Sequence, residues 1–248
     1  MLLLLPPSET KRDGGTEASA LDVSGLAYPS LNARRRAAIA ALRKLSRNRE
    51  AAASGLKIGP SLHFEIDRNR AVTTSAVMPA MDRYTGVLYD ALDAATLNTD
   101  ARAFLSAHVV IASALFGLIA AGDGIPAYRL SHNSRLPELA LKAHWRDSIQ
   151  GVLAGYDGLI LDLRSESYVG LGPAPVRHNS YFLRVVGEGD DGVSRALNHF
   201  NKKGKGEFVR RIAEAGIDHG SVESLLAWAE RSGVRLRPGN AGELNLVV

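Results

Sequence analysis

The stretch that decides the fold is Met1-Leu2-Leu3-Leu4-Leu5-Pro6-Pro7. An apolar run this short, stopped by two prolines, is typical of a buried β-strand that ends abruptly. The run is too short for the apolar region of a signal peptide, which needs about 7–15 residues, and no positive charge precedes it. A second run, residues 158–163, has the same apolar character and ends in polar residues, so it also predicts a buried strand.

Helical and strand patterns are interspersed along the rest of the chain. Helices are predicted over residues 33–50, 84–92, 100–107, 113–120, 139–154, 194–200, 206–215 and 222–231. Further strands are predicted over residues 61–66, 108–112, 181–186, 234–237 and 243–248. No internal repeat and no long linker interrupts them. These patterns predict an α+β (mixed α/β) fold, with residues 1–248 forming a single compact domain that has a mixed sheet with helices around it. A two-lobed arrangement with a cleft stays open.

Composition excludes several classes of protein. Hydrophobic residues make up 46% and charged residues 23% of the 248 residues, and there is no cysteine. These values exclude a disordered chain, a collagen-like fibre and a disulfide-stapled module. No run approaches the roughly 20 apolar residues that span a bilayer. We therefore expect a soluble, cytoplasmic protein with no membrane partner and no disulfide partner.

The basic residues are clustered, although the formal net charge of +4 is too small to indicate a polyanionic partner. Residues 34–49 hold seven basic residues and no acid. This cluster fits either the solvated face of a surface helix or a stripe that faces phosphates. Residues 202–211 hold five basic residues and one acid.

The second cluster belongs to the stretch His199-Phe200-Asn201-Lys202-Lys203-Gly204-Lys205-Gly206. Its glycines would let the backbone approach a ligand, and a helix predicted to start after Gly206 would offer free N–H groups to an anion. A solvated turn that needs glycine for its geometry is the alternative. The spacing is not that of a P-loop.

Polar residues also follow the two buried strands. Asp162, Glu166 and Tyr168 are candidate acid/base groups at the end of the second strand. The alternative is an ion pair between Arg164 and a carboxylate. After the first strand, Ser8, Thr10 and Lys11 are candidate phosphate contacts, with a simple loop as the alternative.

Other catalytic and cofactor motifs are missing from the sequence. The seven histidines show no H-x-x-x-H or H-E-x-x-H spacing, and neither G-x-S-x-G nor G-x-G-x-x-G after a strand occurs. We therefore expect no metal and no cofactor.

Six segments resemble, in order, those of the bacterial peroxide stress protein YaaA family. They are residues 2–11, 83–87, 113–118, 127–130, 163–168 and 200–206. Two positions depart from the family pattern. Ser167 replaces a glutamate, with Glu166 one position earlier, and Ser131 replaces another.

The resemblance implies a cytoplasmic protein of the oxidative stress response that limits damage from peroxide and unincorporated iron. It is similar to a DNA-binding protein with an unusual mixed α/β fold, a basic cleft and a helix–hairpin–helix-like element. Residues 113–130 are our candidate for that element, which would hold phosphates through backbone N–H groups without reading base sequence. Because no Glu-x-x-His cluster is present, we expect any effect on iron to be indirect.

The expected partner is DNA, double-stranded or structured. The predicted phosphate contacts are Lys202, Lys203, Lys205 and Arg210, with Arg129, Arg164 and Lys11 lining the cleft. Further residues predicted to line it are Ser8, Thr10, Tyr84, Thr85, Tyr128 and Ser165. The alternative is an enzyme that acts on nucleic acid or nucleosides, of the base-excision glycosylase or lyase type. The sequence leaves catalytic activity and oligomeric state open, and we favour a monomer.

Overall fold

A computed structural model describes residues 1–188, 194–196 and 200–248. Its strands are β1 (Leu2–Leu5), β2 (Met78–Pro79), β3 (Val109–Ser113), β4 (Gly117–Ala120), β5 (Gly124–Ile125), β6 (Ile160–Asp162), β7 (Ser180–Glu188), β8 (Ser194–Ala196), β9 (Leu236–Pro238) and β10 (Glu243–Val247). The main sheet has the order β4-β3-β1-β6-β7-β10-β9, and β8 pairs with β7 off this path. Strands β2 and β5 form a separate two-stranded ribbon.

The centre of the main sheet is parallel. Strand β1 pairs in parallel with β3 on one side and with β6 on the other, and β7 and β10 continue the parallel run. Strands β4 and β9 are antiparallel to their neighbours. The predicted α+β fold with a mixed sheet is therefore confirmed. The chain leaves β1 toward β3 and later returns to β6 on the opposite side of β1, so the strand order reverses between β1 and β6.

Helices surround the sheet. They are α1 (Asn32–Ser46), α2 (Arg49–Leu56), α3 (Phe64–Arg70), α4 (Ala80–Arg83), α5 (Val87–Leu92), α6 (Thr99–His108), α7 (Leu141–Ala154), α8 (Glu166–Val169), α9 (Phe200–Ala215) and α10 (Val222–Arg231). The side chains of Asn48, Asn98 and Ser221 accept hydrogen bonds from backbone N–H groups at the starts of α2, α6 and α10. Such caps satisfy donors that a helix leaves free at its N-terminus. None of the helices in the described ranges is long and apolar enough to cross a bilayer.

The glycines of the second basic cluster lie inside α9, which packs against α5 and β7. A Cβ on Gly206 would lie 2.2 Å from the carbonyl oxygen of Leu88, and one on Gly204 would lie 2.9 Å from Cγ1 of Val248. Both glycines are buried and serve close packing. The prediction of an exposed turn with a helix starting after Gly206 is wrong, because α9 begins at Phe200.

Two arginines hold loops against the buried face of the fold. Arg35 is fully buried and donates hydrogen bonds to the carbonyls of Ala27, Phe116 and Leu118. Burial lowers the pKa of Arg35 to about 10. Arg83 is also fully buried and donates to the carbonyls of residues 12, 14, 76 and 125. The basic face of α1 is thus only partly a solvated one, since Arg35 points inward.

Residues 113–120 form no helix. Val109–Ser113 and Gly117–Ala120 pair as an antiparallel hairpin, and the hydroxyl of Ser113 accepts hydrogen bonds from the N–H groups of Leu115 and Phe116 in its turn. Gly117 has a φ of +69°, and a Cβ there would lie 2.7 Å from the ring of Trp145. The predicted helix, and with it the helix–hairpin–helix-like element at residues 113–130, is wrong.

Two further secondary-structure predictions are wrong. Residues 61–66, predicted as a strand, run from a 3-10 turn (Pro60–Leu62) into α3. Within residues 194–200, predicted as a helix, Ser194–Ala196 form β8, and residues 197–199 lie outside the described part of the chain.

Candidate functional site

A cleft of about 570 Å³ opens at the carboxyl ends of β1 and β6. Residues from all three polar segments that the sequence singled out line it, together with two others. The lining residues are Pro6, Pro7, Ser8, Glu9, Thr10, Thr85, Gly86, Val87, Leu88, Tyr89, Ser131, His132, Leu163, Ser165, Tyr168, Asn201, Lys202 and Lys205. The structure therefore brings segments from both ends of the chain together at one site.

Lys205 supplies a buried positive charge to the cleft. The residue is 5% exposed, and its Nζ lies 5.5 Å from the centre of the Phe182 ring. Burial lowers the pKa of Lys205 to about 8, while the charge of Asp162 acts in the opposite direction. Within the part of the chain that the structure describes, Nζ has neither a hydrogen-bond acceptor nor an ion-pair partner. A buried ammonium in this state favours the binding of an anion.

Lys202 and Lys203 precede Lys205 on the same helix and are both exposed. Lys202 lines the cleft, whereas the Nζ of Lys203 lies 3.5 Å from Oε1 of Glu207, one turn along α9. The predicted basic cluster thus divides between a buried lysine, a lysine at the cleft and a lysine paired on the outer surface.

Lys11 lies next to the cleft but does not line it. Its Nζ donates hydrogen bonds to the carbonyls of Ser8 (3.0 Å) and Glu9 (3.4 Å), and it lies 4.1 Å from the centre of the Tyr128 ring. Burial lowers the pKa of Lys11 to about 7. The side chain therefore shapes the loop after β1, which presents Ser8 and Thr10 to the cleft.

Two tyrosines predicted to line the cleft are buried behind it. The hydroxyl of Tyr128 lies 2.7 Å from that of Tyr84 and 2.6 Å from Oγ of Ser113. Burial raises the pKa of both tyrosines. These side chains support Lys11, because its Nζ lies over both rings.

The hydroxyl groups of the cleft rim come from two loops. Oγ of Ser8 lies 3.3 Å from Oγ1 of Thr10, which in turn donates to the carbonyl of Thr85 at 3.3 Å. Gly86 has a φ of +95°, and a Cβ there would lie within 3.4 Å of both hydroxyl oxygens. Glycine keeps this rim open.

Asp162 and Arg164 form a buried ion pair rather than part of the cleft wall. Arg164 is fully buried; its Nε and one terminal nitrogen lie 2.8 and 2.6 Å from the two carboxylate oxygens of Asp162. The other terminal nitrogen donates to the carbonyl of Gly172 at 2.9 Å. The ion-pair alternative weighed for this strand end is the arrangement that the structure shows, and Arg164 does not line the cleft as predicted.

Of the other acid/base candidates, only Tyr168 lines the cleft. Burial raises the pKa of Tyr168 to about 12, although hydrogen bonds with the Ser131 side chain and the His132 backbone oppose the shift. Tyr168 is therefore protonated at neutral pH. Glu166 is exposed at the start of α8 and pairs with Arg184 at 3.3 Å.

Arg129 and Arg210 make contacts within the protein. Arg129 forms an ion pair with Glu9, which lines the cleft. Arg210 donates to the carbonyls of Leu92 and Asp93, both at 3.1 Å, at the end of α5. Arg210 is not among the residues that line the cleft, so its predicted phosphate contact would lie elsewhere.

Sequence reasoning missed His132 and Glu9 as cleft residues. The ring of His132 lies 5.2 Å from that of Tyr168, and burial lowers the pKa of its imidazole. Neither residue belongs to a motif with a characteristic spacing. The available signal was their position in the sequence. His132 directly follows the segment Tyr128-Arg129-Leu130-Ser131, and Glu9 lies within Pro6-Pro7-Ser8-Glu9-Thr10.

Nearly the whole chain matches one known protein family. A family model described as peroxide stress protein YaaA matches residues 1–238. The chain belongs to the peroxide stress protein YaaA family. This membership supports a role in peroxide stress and confirms the resemblance inferred from the sequence.

YaaA relatives from several bacteria match the chain. The UPF0246 protein of Corynebacterium glutamicum strain R is 40% identical over 255 aligned positions, covering 100% of both chains. The UPF0246 protein of Streptomyces coelicolor is 38% identical over 222 positions, covering 87% of this chain and 84% of the relative. The one from Lactobacillus delbrueckii is 29% identical over 178 positions, covering 70% of this chain and 71% of the relative.

The segments that carry the YaaA resemblance concentrate around the cleft. Residues of the segments 2–11, 83–87, 163–168 and 200–206 line it, and Tyr128 from the segment 127–130 supports Lys11. No group of three His, Asp or Glu side chains within the described ranges is placed to hold a metal ion.

Proposed function

We propose that this protein binds DNA in the cytoplasm, double-stranded or structured and without strong sequence specificity. Binding through the cleft would limit peroxide- and iron-dependent damage. The observation that carries the proposal is Lys205, a largely buried residue whose ammonium has no hydrogen-bond or ion-pair partner among the described residues, in a cleft that Lys202 also lines. A phosphodiester supplies the missing negative charge.

Other groups at the cleft suit a sugar–phosphate backbone. The hydroxyls of Ser8, Thr10 and Thr85 lie along the rim. Hydroxyls and lysines contact phosphates without regard to base identity, so the proposed binding has little sequence specificity. Lys203 is paired with Glu207 on the outer surface of α9, so Lys202 and Lys205 are the lysines at the cleft itself.

Salt dependence tests the proposal. Binding of a fluorescent duplex, followed by anisotropy, should weaken with a log–log slope of about −0.9 for each phosphate neutralised. Lys202→Ala should reduce that slope by about one unit. Lys142→Ala, which removes an exposed lysine of α7 that does not line the cleft, is the matched control and should leave the slope unchanged.

Two results would refute DNA binding through the cleft. One is a response that stays flat from low to high salt. The other is unchanged affinity after Lys202, Lys203 and Lys205 are all replaced by Ala, with folding confirmed by circular dichroism.

A second candidate function is an enzyme acting on nucleic acid or nucleosides. It is supported by the contact between His132 and Tyr168 in the cleft wall, since both groups can transfer protons. Incubation with damaged duplexes and free nucleosides, analysed for released base, tests it. Activity that is lost in Tyr168→Phe and kept in Tyr181→Phe would support it, and the absence of product from every substrate would refute it.

A further inference from the structure

The cleft lies where an open parallel sheet is best suited to hold a small ligand. Counted along the chain, the five parallel strands have the spatial order 2-1-3-4-5, as β3-β1-β6-β7-β10. The order reverses between β1 and β6, and the residues after these two strands line the cleft. The segments that follow β1 and β6 run away from each other, and this leaves a crevice at the carboxyl ends of the two strands. Ligands usually bind at this position in open parallel sheets.

The part of the cleft around Lys205 is suited to an anion. Lys205 is more than nine-tenths buried, and apart from the ring of Phe182 its Nζ has no hydrogen-bond or ion-pair partner within the described ranges. Lys202 and Asn201 lie beside it in the first turn of α9. Oδ1 of Asn201 is also buried without a hydrogen-bond partner. The N-terminus of this 16-residue helix adds to the positive potential there. A phosphate would supply the negative charge that Lys205 and Lys202 lack, whereas Oδ1 of Asn201 is an acceptor and would need a donor from another part of the ligand, such as a hydroxyl.

Another part of the cleft lining is apolar, and polar groups lie along the rim. The apolar wall of the cleft consists of Pro6, Leu88 and Leu163. Ser8 and Thr10 place hydroxyls at the rim. An apolar wall beside a few polar groups is the usual composition of a small-molecule site, and about 570 Å³ lies within the usual range of 300–1,000 Å³ for such sites.

We propose that the cleft is a binding site for a free nucleoside monophosphate. Its phosphate would lie against Lys205, Lys202 and the first turn of α9. Its base would pack on the apolar wall, and its sugar hydroxyls would meet the rim. This site does not depend on DNA binding, although a nucleotide and a DNA backbone would compete for the same lysines.

The charge state of Lys205 makes the proposed affinity depend on pH. A dianionic phosphate favours the protonated lysine, so binding raises the pKa of Lys205 above its free value of about 8. The charge of Asp162 on β6 raises this pKa, and that of Arg184 on β7 lowers it. Between pH 7 and 9.5, where the phosphate is mainly dianionic, affinity should therefore change little up to about pH 8 and fall above it, by up to about tenfold per pH unit.

Calorimetric titration of the full chain with four probes tests the site. They are adenosine 5′-monophosphate, ribose 5-phosphate, adenosine and inorganic phosphate. The nucleotide should bind at least about tenfold more tightly than phosphate or adenosine alone, because only it can contact both the lysines and the apolar wall. Lys205→Met should weaken nucleotide binding about tenfold or more. Lys203→Met, on the outer surface of the same helix, should not.

The outcomes separate this inference from the DNA proposal. Absence of nucleotide binding, or equal affinity for all four probes, would overturn the inference. If Lys205→Met fails to fold, the pH profile of the wild-type protein decides, and a constant affinity from pH 7 to 9.5 would overturn it. Salt-dependent duplex binding without nucleotide binding would leave the DNA proposal intact.

Discussion

Replacing Asp162 by Ala should destabilise the protein strongly, because it leaves the guanidinium of Arg164 buried without its carboxylate. Asp162 is 4% exposed and Arg164 is fully buried. Two hydrogen bonds of 2.8 and 2.6 Å join the side chains, and a third runs from the backbone N–H of Arg164 to Oδ1 of Asp162 at 3.0 Å. Removing one member of a buried pair costs about 3–5 kcal/mol. In a chain of this length, this is a fall of roughly 6–20 °C in Tm.

The double variant Asp162→Leu/Arg164→Met is the control. It removes both charges and retains side-chain volume, so it should recover most of the lost stability. Urea unfolding followed by circular dichroism measures both variants. A loss below about 1 kcal/mol in Asp162→Ala, or a double variant no more stable than the single one, would refute the argument that the pair is held by mutual compensation.

Three further predictions concern α9 and the loop after β1. Gly206→Ala should lower the free energy of unfolding by about 1–3 kcal/mol in urea titrations, because its Cβ would meet the Leu88 carbonyl. Gly151→Ala, in open space on α7, should instead stabilise by up to about 1 kcal/mol; stabilisation of both would contradict the close-packing argument. Lys11 has its pKa lowered from 10.5 to about 7 in the folded state, so the unfolded chain binds more protons between these values and stability should rise with pH there. In the same denaturation series, the stability of Lys11→Met should lack this rise with pH. If the free energies of unfolding of the wild type and the variant changed with pH in parallel, the argument would be wrong. Arg210→Ala should lower Tm, because it removes the hydrogen bonds that hold the end of α5. It should leave the salt slope of duplex binding unchanged in anisotropy titrations. A slope reduced by one unit would instead show that Arg210 contacts a phosphate, as the sequence predicted.

The strands of the sheet could be predicted where burial on both faces leaves an uninterrupted apolar run. Leu2–Leu5 and residues 159–161 have that pattern, and α10 has a strong helical one. The hairpin of β3 and β4 was not predictable in this way. Ala114, Leu115 and Phe116 suit a helix locally, but the packing of Trp145 on Gly117 and the hydroxyl of Ser113 favour the turn.

At the glycines of α9, a turn was predicted where the structure has a helix. Gly204 and Gly206 are poor helix formers, so local propensity predicted a turn. The close approach of α9 to Leu88 and Val248 requires glycine and outweighs that propensity. Tertiary packing of this kind cannot be inferred from neighbours in the sequence.

The convergence of polar segments at one cleft could be predicted from their positions after strands, but the partners of individual side chains could not. Arg210 contacts the carbonyl of Leu92, 118 positions away in the chain. Arg129 meets Glu9 across 120 positions. Residue type alone cannot distinguish an arginine that binds phosphate from one already paired, because the pairing depends on contacts between distant segments.

The central position of β1 affects how the protein is made. Leu2 pairs opposite Ile160, so β1 must wait for some 155 further residues before its second neighbour exists. At a synthesis rate of roughly 5–20 residues per second, the wait is about 8–30 s. Until then one edge of β1 has no neighbouring strand, so four consecutive leucines form an unpaired, aggregation-prone edge. A chain stalled on the ribosome before β6 would therefore expose this segment and lack the cleft altogether.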